Sequence, residues 1–225
     1  MIKIVDNFFD DPDSVVSLSE AMDFSLANPQ WPGVRTQDLK EHSPEVKDMF
    51  IEHICGHYPK LNPFELNNDF RCGFQKVNSF SKDQYDLKNK GWAHRDTNCI
   101  WAGIMYLNKN PEPDTGTVFY KGTQDKSLYK ECLKQKMDLY VGASIDEEKY
   151  KNAYEKMHSE LEVDFIVEPV YNRMIIFKGS EEYHAGHTYG LNQTRLTFVW
   201  FALDNPNSPF RRYAQYQQQN VPIFK

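Results

Sequence analysis

Two histidines, a carboxylate and an arginine lie in this chain at spacings that suit the binding of a metal ion and an acidic co-substrate. His94 and Asp96 are separated by one residue, and His184 follows much later with Arg195 beyond it. Two imidazoles and one carboxylate can occupy one face of an octahedral iron(II) ion and leave the other positions open for chemistry. The guanidinium of Arg195 is planar and permanently charged, so it can hold a carboxylate that the metal does not bind.

The spacing of His94 and Asp96 places both side chains on one face of an extended strand, as two ligands of one ion require. A short His-x-Asp pattern also occurs without a metal, where the carboxylate simply orients the imidazole. Gly91-Trp92 precedes the pair, and the apolar run Ile100–Asn108 follows it. Because polar side chains beside a buried strand are costly unless they are paired or metal-bound, this context favours metal binding.

The third ligand is either His184 or His187. These residues differ by three positions, so on a strand they face opposite ways and only one can join the first pair. His184 comes soon after the strand-like run Met174–Phe177, whereas His187 lies in the turn region Gly186–Gly190. The pattern predicts His184 as the ligand, with His187 as the alternative.

Arg195 begins a strand on which it shares one face with Thr197 and Val199, while the other face is apolar. A charged side chain on such a strand needs a partner. The partner is either an internal Asp or Glu, or the carboxylate of a bound molecule. In the second case the Thr197 hydroxyl and the Tyr106 phenol are placed to bind the same anion.

Helices near the amino terminus and short strands along the rest of the chain must position these residues. Strand 2–5 and two helices that start at Asp11-Pro12 and Ser43-Pro44 are expected near the amino terminus. The first helix should end at Asn28-Pro29 and bury Val15, Leu18 and Met22; the second should bury Val46, Met49, Phe50 and Ile54. Short β-type runs then follow, at Arg71–Val77, Ile100–Leu107, Thr117–Tyr120, Met174–Phe177 and Arg195–Leu203. Their density, with turn residues between them, favours a sandwich or barrel.

Residues 125–161 interrupt this β pattern with two amphipathic helices. Their apolar positions are Leu128, Cys132, Leu133 and Met137 in the first, and Tyr150, Tyr154, Met157 and Leu161 in the second. We interpret the segment as an insertion between the strands near Phe119 and Ile175. Such an insertion either packs on one sheet or forms a lid over a substrate site.

Composition limits the class of protein. The chain of 225 residues fits one domain, and its 40% of apolar residues supply a packed interior. The net charge of −6 disfavours a surface that follows nucleic-acid phosphates, and the four cysteines form no Cys-x-x-Cys pair. The start of the chain lacks a signal-peptide layout, and no apolar run approaches the ~20 residues of a membrane span. We expect a cytoplasmic protein with no membrane or nucleic-acid partner and an oligomeric state that the sequence does not indicate.

These residues, in this order, resemble the iron(II)/2-oxoglutarate-dependent oxygenases of the prolyl-4-hydroxylase-like branch. His94-x-Asp96 is similar to the proximal metal motif of that family, and the segment from Phe177 to Gly186 is similar to its distal histidine segment. Further similarities are Tyr106-Leu107-Asn108 to the tyrosine-containing strand, Pro113–Phe119 to the Gly-Gly-Thr-x-Phe turn with Thr115 at the first glycine, Arg195-x-Thr197 to the Arg-x-Ser motif, and Ile4–Phe9 to the usual start of the domain. The stretch Trp31–Thr36 resembles a bacterial and phage-associated subgroup of uncharacterised function.

The resemblance implies a mainly β fold, a double-stranded β-helix or jelly-roll core with N-terminal helices and a helical insertion. One domain would span 1–225, with helical support at about 1–65, the core at about 70–204, the insertion at about 125–161 and a tail at 205–225. The interval from His184 to Arg195 is slightly longer than is usual in the family, which keeps His187 open.

The resemblance also implies the chemistry. Fe(II) would be held by His94, Asp96 and His184, and 2-oxoglutarate by Arg195, Thr197 and Tyr106. A carboxylate at position 96 implies hydroxylation with dioxygen rather than halogenation. The substrate would be a free amino acid, a peptidyl side chain or a small metabolite. Two other classes fit parts of the pattern: a cupin-like metalloenzyme that does not use 2-oxoglutarate, and a non-catalytic jelly-roll binding module.

Overall fold

Antiparallel sheets make up most of the computed structural model, which describes residues 1–63, 66, 69–124 and 126–205, with the backbone alone at 126–131. Ten strands are found in these residues. They are β1 (Ile2–Val5), β2 (Leu26–Ala27), β3 (Val34–Arg35), β4 (Phe70–Val77), β5 (Cys99–Tyr106), β6 (Thr117–Gly122), β7 (Leu161–Val167), β8 (Met174–Phe177), β9 (Tyr183–Gly186) and β10 (Arg195–Leu203).

The strands form a large and a small sheet. The order in the large sheet is β1-β8-β5-β10-β4-β3-β2, and the order in the small sheet is β7-β6-β9. β10 lies between β4 and β5, with Thr197 opposite Gln75 on one side and Tyr106 on the other. Phe119 of β6 and Phe177 of β8 belong to the apolar core shared by the two sheets. The mainly β class predicted from the sequence is therefore observed.

Helices cover the outer face of the large sheet. They are α1 (Pro12–Glu20), α2 (Leu39–His42) and α3 (Pro44–His57). A proline stands in the first turn of α1 and of α3, where its missing N–H costs nothing, and Asp11 caps the Ser14 N–H. Phe50 of α3 stacks on Phe198 of β10 with ring centres 4.1 Å apart. Because Phe198 and Trp200 are buried under these helices, β10 turns its Arg195–Thr197–Val199 face toward the small sheet.

Two details of the N-terminal prediction were wrong. The first helix ends at Glu20, well before Asn28-Pro29, because Leu26 and Ala27 leave the helical path to pair with Arg35 and Val34. In α3 the buried residues are Phe50, Ile51 and Ile54, while Met49 is 47% exposed. The helix is thus rotated so that Ile51 takes the place predicted for Met49.

The predicted insertion consists of two helices, α4 (Lys126–Tyr140) and α5 (Glu147–His158), and it lies between β6 and β7. The apolar face of α5 is as predicted except that Leu161 starts β7. In α4 the buried positions are Cys132, Lys136, Leu139 and Tyr140, whereas Leu133 and Met137 are only half-buried and the side chain of Leu128 lies outside the described residues. These helices form an apolar cluster around Trp92, in the segment that precedes His94.

Four strands were not predicted: β2, β3, β7 and β9. In β7, apolar and polar residues alternate from Leu161 to Phe165, but the prediction assigned Leu161 to the preceding helix. β2 and β3 have two residues each, and β9 has the short sequence Tyr-His-Ala-Gly. Of the predicted tail 205–225, residues 206–225 lie outside the described residues. None of the described helices combines the length and apolar character needed to cross a membrane.

Candidate metal centre

Backbone pairing between two distant segments brings His94 and His184 together. His184 lies in β9, and the His94 N–H donates to the His184 carbonyl at 3.1 Å while the His184 N–H donates to the His94 carbonyl at 3.0 Å. In an antiparallel pair that exchanges both hydrogen bonds, the two side chains lie on the same face. Their ring centres are 4.5 Å apart.

Asp96 completes the cluster. Its Oδ1 is 3.6 Å from Nε2 of His94, and its Oδ2 is 3.6 Å from Nε2 of His184. One candidate ligand atom from each residue lies within 4.8 Å of the others. His187, the alternative third ligand, lies elsewhere, with its Nδ1 3.7 Å from Asp114. The structure therefore brings together His94, Asp96 and His184, the set predicted from the sequence.

Hydrogen bonds orient both imidazoles toward a common point. Nδ1 of His94 lies 2.9 Å from the Trp92 carbonyl, and Nδ1 of His184 lies 3.1 Å from the Glu182 carbonyl. Since a carbonyl only accepts, Nδ1 carries the proton in each ring and Nε2 keeps its lone pair for a metal. Burial lowers the pKa of His94 well below its ordinary value, which favours the neutral ligand form.

The Oδ2 atom of Asp96 is buried and has no hydrogen-bond partner among the described residues. A buried carboxylate oxygen without a partner is costly, and a cation at this point would remove that cost. Two available imidazole nitrogens and this oxygen are the donor set that iron(II) takes. The residues present thus fit an iron(II) ion.

The three residues predicted to bind the co-substrate also meet in one place. Arg195 is 9% exposed, its Nε donates to the Thr115 carbonyl at 2.8 Å, and no carboxylate among the described residues pairs with it. The guanidinium carbon lies 5.5 Å from the ring centre of Tyr106. The Thr197 hydroxyl is buried without a partner on the same face of β10. Among the residues that the structure describes, the internal Asp or Glu considered from the sequence does not pair with Arg195, so this buried cation can bind the carboxylate of another molecule.

A cavity between the sheets connects the two groups. It is partly open to solvent, and it is lined by the three cluster residues and by Arg195. Trp92 lines the cavity, whereas Phe74 and Trp101 pack in the core beneath the helices.

Sequence reasoning missed two contributors to this cavity. Thr117 accepts or donates a hydrogen bond of 2.7 Å with the Tyr106 hydroxyl, so it fixes the direction of that phenol. Lys136 of α4 is 5% exposed and lines the cavity. Its position, four residues after Cys132 and four before Tyr140, was the available signal, because residues four apart share one helix face.

A close approach of two glycines holds the His94 segment against β9. A Cβ at Gly91 would lie 2.5 Å from the Gly186 nitrogen and 2.7 Å from its oxygen. We expect Gly91→Ala to lower the free energy of unfolding by about 1–3 kcal/mol and to weaken metal binding, since the His94 segment must move away from β9. Urea unfolding and metal titration measure the two effects. Gly56→Ala is the control, because a Cβ there meets nothing within 4 Å; equal losses in both variants would contradict this account.

His158 joins the insertion to the same segment. Its Nε2 accepts a hydrogen bond from the Ala93 N–H at 3.1 Å, and its Nδ1 lies 2.8 Å from the Tyr154 carbonyl, to which it donates. Burial lowers the pKa of His158, so the folded protein favours the neutral ring. The ring protonates more readily in the unfolded chain, whose pKa is about 6.5, and its stabilising effect is full above that pH and lost as pH falls below it.

We therefore expect the stability difference between wild type and His158→Leu to shrink from pH 7.5 to pH 5, by at most about 1.4 kcal/mol per pH unit. Urea unfolding of the metal-free proteins at several pH values measures it. The exposed His42 supplies the control variant His42→Leu, for which no such trend is expected. A difference for His158→Leu that does not change with pH would show that the ring is not held neutral.

Solved structures of two prolyl hydroxylases and of a protein with 2-oxoglutarate bound are similar to this structure. A prolyl-4-hydroxylase from Pseudomonas putida matches with a TM-score of 0.52 and 13% identity over 91% of this chain and 92% of that one. A prolyl hydroxylase from Trichoplax adhaerens, in complex with a hypoxia inducible factor peptide, gives 0.52 and 12% over 90% and 83%. HygX from Streptomyces hygroscopicus, with nickel, 2-oxoglutarate and hygromycin B bound, gives 0.54 and 12% over 90% and 83%.

At these identities the likeness establishes the fold. It is the double-stranded β-helix of the 2-oxoglutarate oxygenases, and the predicted fold class is confirmed. The chain belongs to a family of unknown function, DUF6445, whose sequence profile matches residues 1–195. No curated protein matches the chain by sequence. The family match extends from β1 to Arg195 and so includes the whole His–Asp–His cluster.

Proposed function

We propose that this protein is an iron(II)/2-oxoglutarate-dependent dioxygenase that couples oxidative decarboxylation of 2-oxoglutarate to hydroxylation of a second substrate. The observation that carries the proposal is the cluster of His94, Asp96 and His184, in which the two Nε2 atoms lie beside a carboxylate whose Oδ2 has no hydrogen-bond partner among the described residues. The unpaired Arg195 on the wall of the same cavity supports it.

His94, Asp96 and His184 would hold the iron, which would supply activation of dioxygen with 2-oxoglutarate as the source of two electrons. The protein's own residues orient the reactants. The Trp92 and Glu182 carbonyls keep the histidine Nε2 atoms available, as described above. Phe177, from the apolar core shared by the two sheets, lines the same cavity and makes part of its wall apolar.

Arg195 is assigned the carboxylate of 2-oxoglutarate that lies far from the metal. Its guanidinium is held from one side by the Thr115 carbonyl, so its position is fixed before an anion arrives. Thr197 offers a buried hydroxyl without a partner, and Tyr106 a phenol oriented by Thr117. A preorganised set of this kind binds an anion at a small entropic cost.

The two alternative classes explain less of the geometry. A cupin-like metalloenzyme that does not use 2-oxoglutarate leaves the buried Arg195 without an anion. A non-catalytic binding module leaves the buried Asp96 Oδ2 without a partner. The second substrate is proposed to be a free amino acid, a peptidyl side chain or a small metabolite; the solved relatives themselves contain a peptide and hygromycin B.

Product analysis tests the proposed reaction class. The iron-loaded protein is incubated with 2-oxoglutarate in air, and succinate is measured by mass spectrometry. We expect slow succinate formation even without the second substrate and none in Asp96→Ala. Iron retention with no consumption of 2-oxoglutarate would reject the proposal in favour of the cupin-like class.

A further inference from the structure

The described residues around the cavity carry more positive than negative charge. Among the described residues that line it, Arg35, Lys136 and Arg195 are cationic and Asp96 is the single acid. Iron(II) would add two positive charges, and 2-oxoglutarate, with two carboxylates, would remove two. The filled site would therefore still hold two more positive than negative charges.

Lys136 is buried without a direct anionic partner among the described residues. It is 5% exposed and forms no hydrogen bond or ion pair with them, although Asp96 acts on its charge from a longer distance. Its ammonium lies 5.6 Å from the ring centre of Tyr140, one helical turn along α4. A buried, unpaired ammonium is costly, and burial lowers the pKa of Lys136 to about 8. A lysine on a helix usually extends to solvent, so its placement here needs a reason.

Arg35 of β3 reaches the same cavity from the large sheet. Its guanidinium lies over the Trp31 ring at 4.3 Å and donates to the Gln75 amide oxygen at 3.4 Å. Its Nε atom is buried without a partner, and burial lowers the pKa of the side chain to about 10. The aromatic contact fixes the plane of the guanidinium but does not neutralise its charge.

The two cations come from different parts of the chain and face the candidate iron. Arg35 belongs to the N-terminal region and Lys136 to the helical insertion, yet both are near enough to act electrostatically on Asp96 and His94. If Arg195 binds the far carboxylate of 2-oxoglutarate, neither Arg35 nor Lys136 is needed to bind this co-substrate. A neutral second substrate would leave both charges buried and uncompensated.

We propose that Arg35 and Lys136 bind an acidic group, a carboxylate or a phosphate, of the second substrate, and that this substrate is a small organic acid. The inference rests on the proposed function and assigns the substrate class of the same site. A small molecule fits because the cations face an internal cavity, whereas the chain as a whole, with its charge of −6, would repel an acidic polymer.

Anaerobic calorimetry on the protein loaded with Fe(II) and 2-oxoglutarate tests the proposal. The probes are a set of small carboxylic acids, the uncharged carboxamide of each, and a set of phosphate monoesters, which separate the two kinds of acidic group. We expect at least one acid to bind and its uncharged counterpart to bind at least about tenfold more weakly. Arg35→Met and Lys136→Met should each weaken binding of that acid at least about tenfold.

Lys134→Met is the matched control. Lys134 lies on the same helix, is 75% exposed and pairs with Asp138 at the surface, so its loss should leave acid binding unchanged. Equal binding of acids and carboxamides, or failure of every acid to bind the loaded wild type, would overturn the proposal.

Affinity for 2-oxoglutarate is measured in the same variants. The proposal expects little change in Arg35→Met and Lys136→Met; loss of 2-oxoglutarate binding there would assign these residues to the co-substrate and overturn it. Failure of the proposed function itself gives a different result, namely no binding of 2-oxoglutarate by the iron-loaded wild type. In that case the acids, applied to the iron-loaded protein alone, still decide whether the two cations bind an acid.

Discussion

Replacing His184 by alanine is expected to weaken iron(II) binding more than about 100-fold, whereas His187→Ala is expected to leave it unchanged. His184 directs its free Nε2 toward Asp96 at 3.6 Å, while His187 lies beside Asp114, outside the cluster. Loss of one of three protein ligands should exceed the effect of losing a hydrogen bond to a ligand. Anaerobic titration with Fe(II) in the presence of a competing chelator measures the dissociation constants.

The two histidine variants are controls for each other, because each removes one imidazole and the two positions are only three residues apart. Circular dichroism establishes that each variant is folded. If His187→Ala lost the metal and His184→Ala kept it, the distal ligand would be His187 and the cluster described here would be structural.

Arg195→Met should reduce the affinity for 2-oxoglutarate at least about 30-fold and leave iron binding intact. The side chain is buried, lacks a carboxylate partner and borders the unpartnered hydroxyl of Thr197. Methionine has a similar length and no charge, so the change removes the anion partner with little loss of packing. Calorimetric titration of the iron-loaded protein with 2-oxoglutarate measures the affinity.

Arg71→Met is the control for this second prediction. Arg71 lies on β4, next to β10, and its side chain is 55% exposed and paired with Asp69. Its replacement removes the same charge from the same sheet without entering the cavity. An unchanged affinity for 2-oxoglutarate in Arg195→Met would show that another group binds its far carboxylate. The unpaired Arg195 would then no longer support 2-oxoglutarate as the co-substrate.

The cluster was predictable because its signals are local. The alternation of side chains along an extended segment predicted that His94 and Asp96 share one face and that only one of His184 and His187 can join them. The structure brings His94, Asp96 and His184 together, although His94 forms only an isolated bridge and Asp96 and His187 lie outside the strands. The same rule put Arg195 and Thr197 together on β10. The sequence did not show which segments pair with each other. The structure shows that the His94 segment pairs with β9 through the backbone hydrogen bonds between His94 and His184.

The missed features depend on contacts that are distant in sequence. β7 alternates apolar and polar residues from Leu161 to Phe165, but Leu161 was assigned to the preceding helix, and the pairing of β7 with β6 is what defines the strand. Lys136 was not singled out from the sequence, and the packing of α4 against Trp92 turns it inward. The strand pairing of β3 with β4 brings Arg35 to the cavity, and the sequence did not indicate this pairing.

Anaerobic titration of the iron-loaded protein with 2-oxoglutarate tests the central claim most directly. Chelation of iron(II) by the keto acid produces a weak visible charge-transfer band, so the metal and the co-substrate are detected together. We expect the band to appear in the wild type and to be absent in His94→Ala. Iron binding without the band would contradict the assignment of this site to a 2-oxoglutarate-dependent oxygenase.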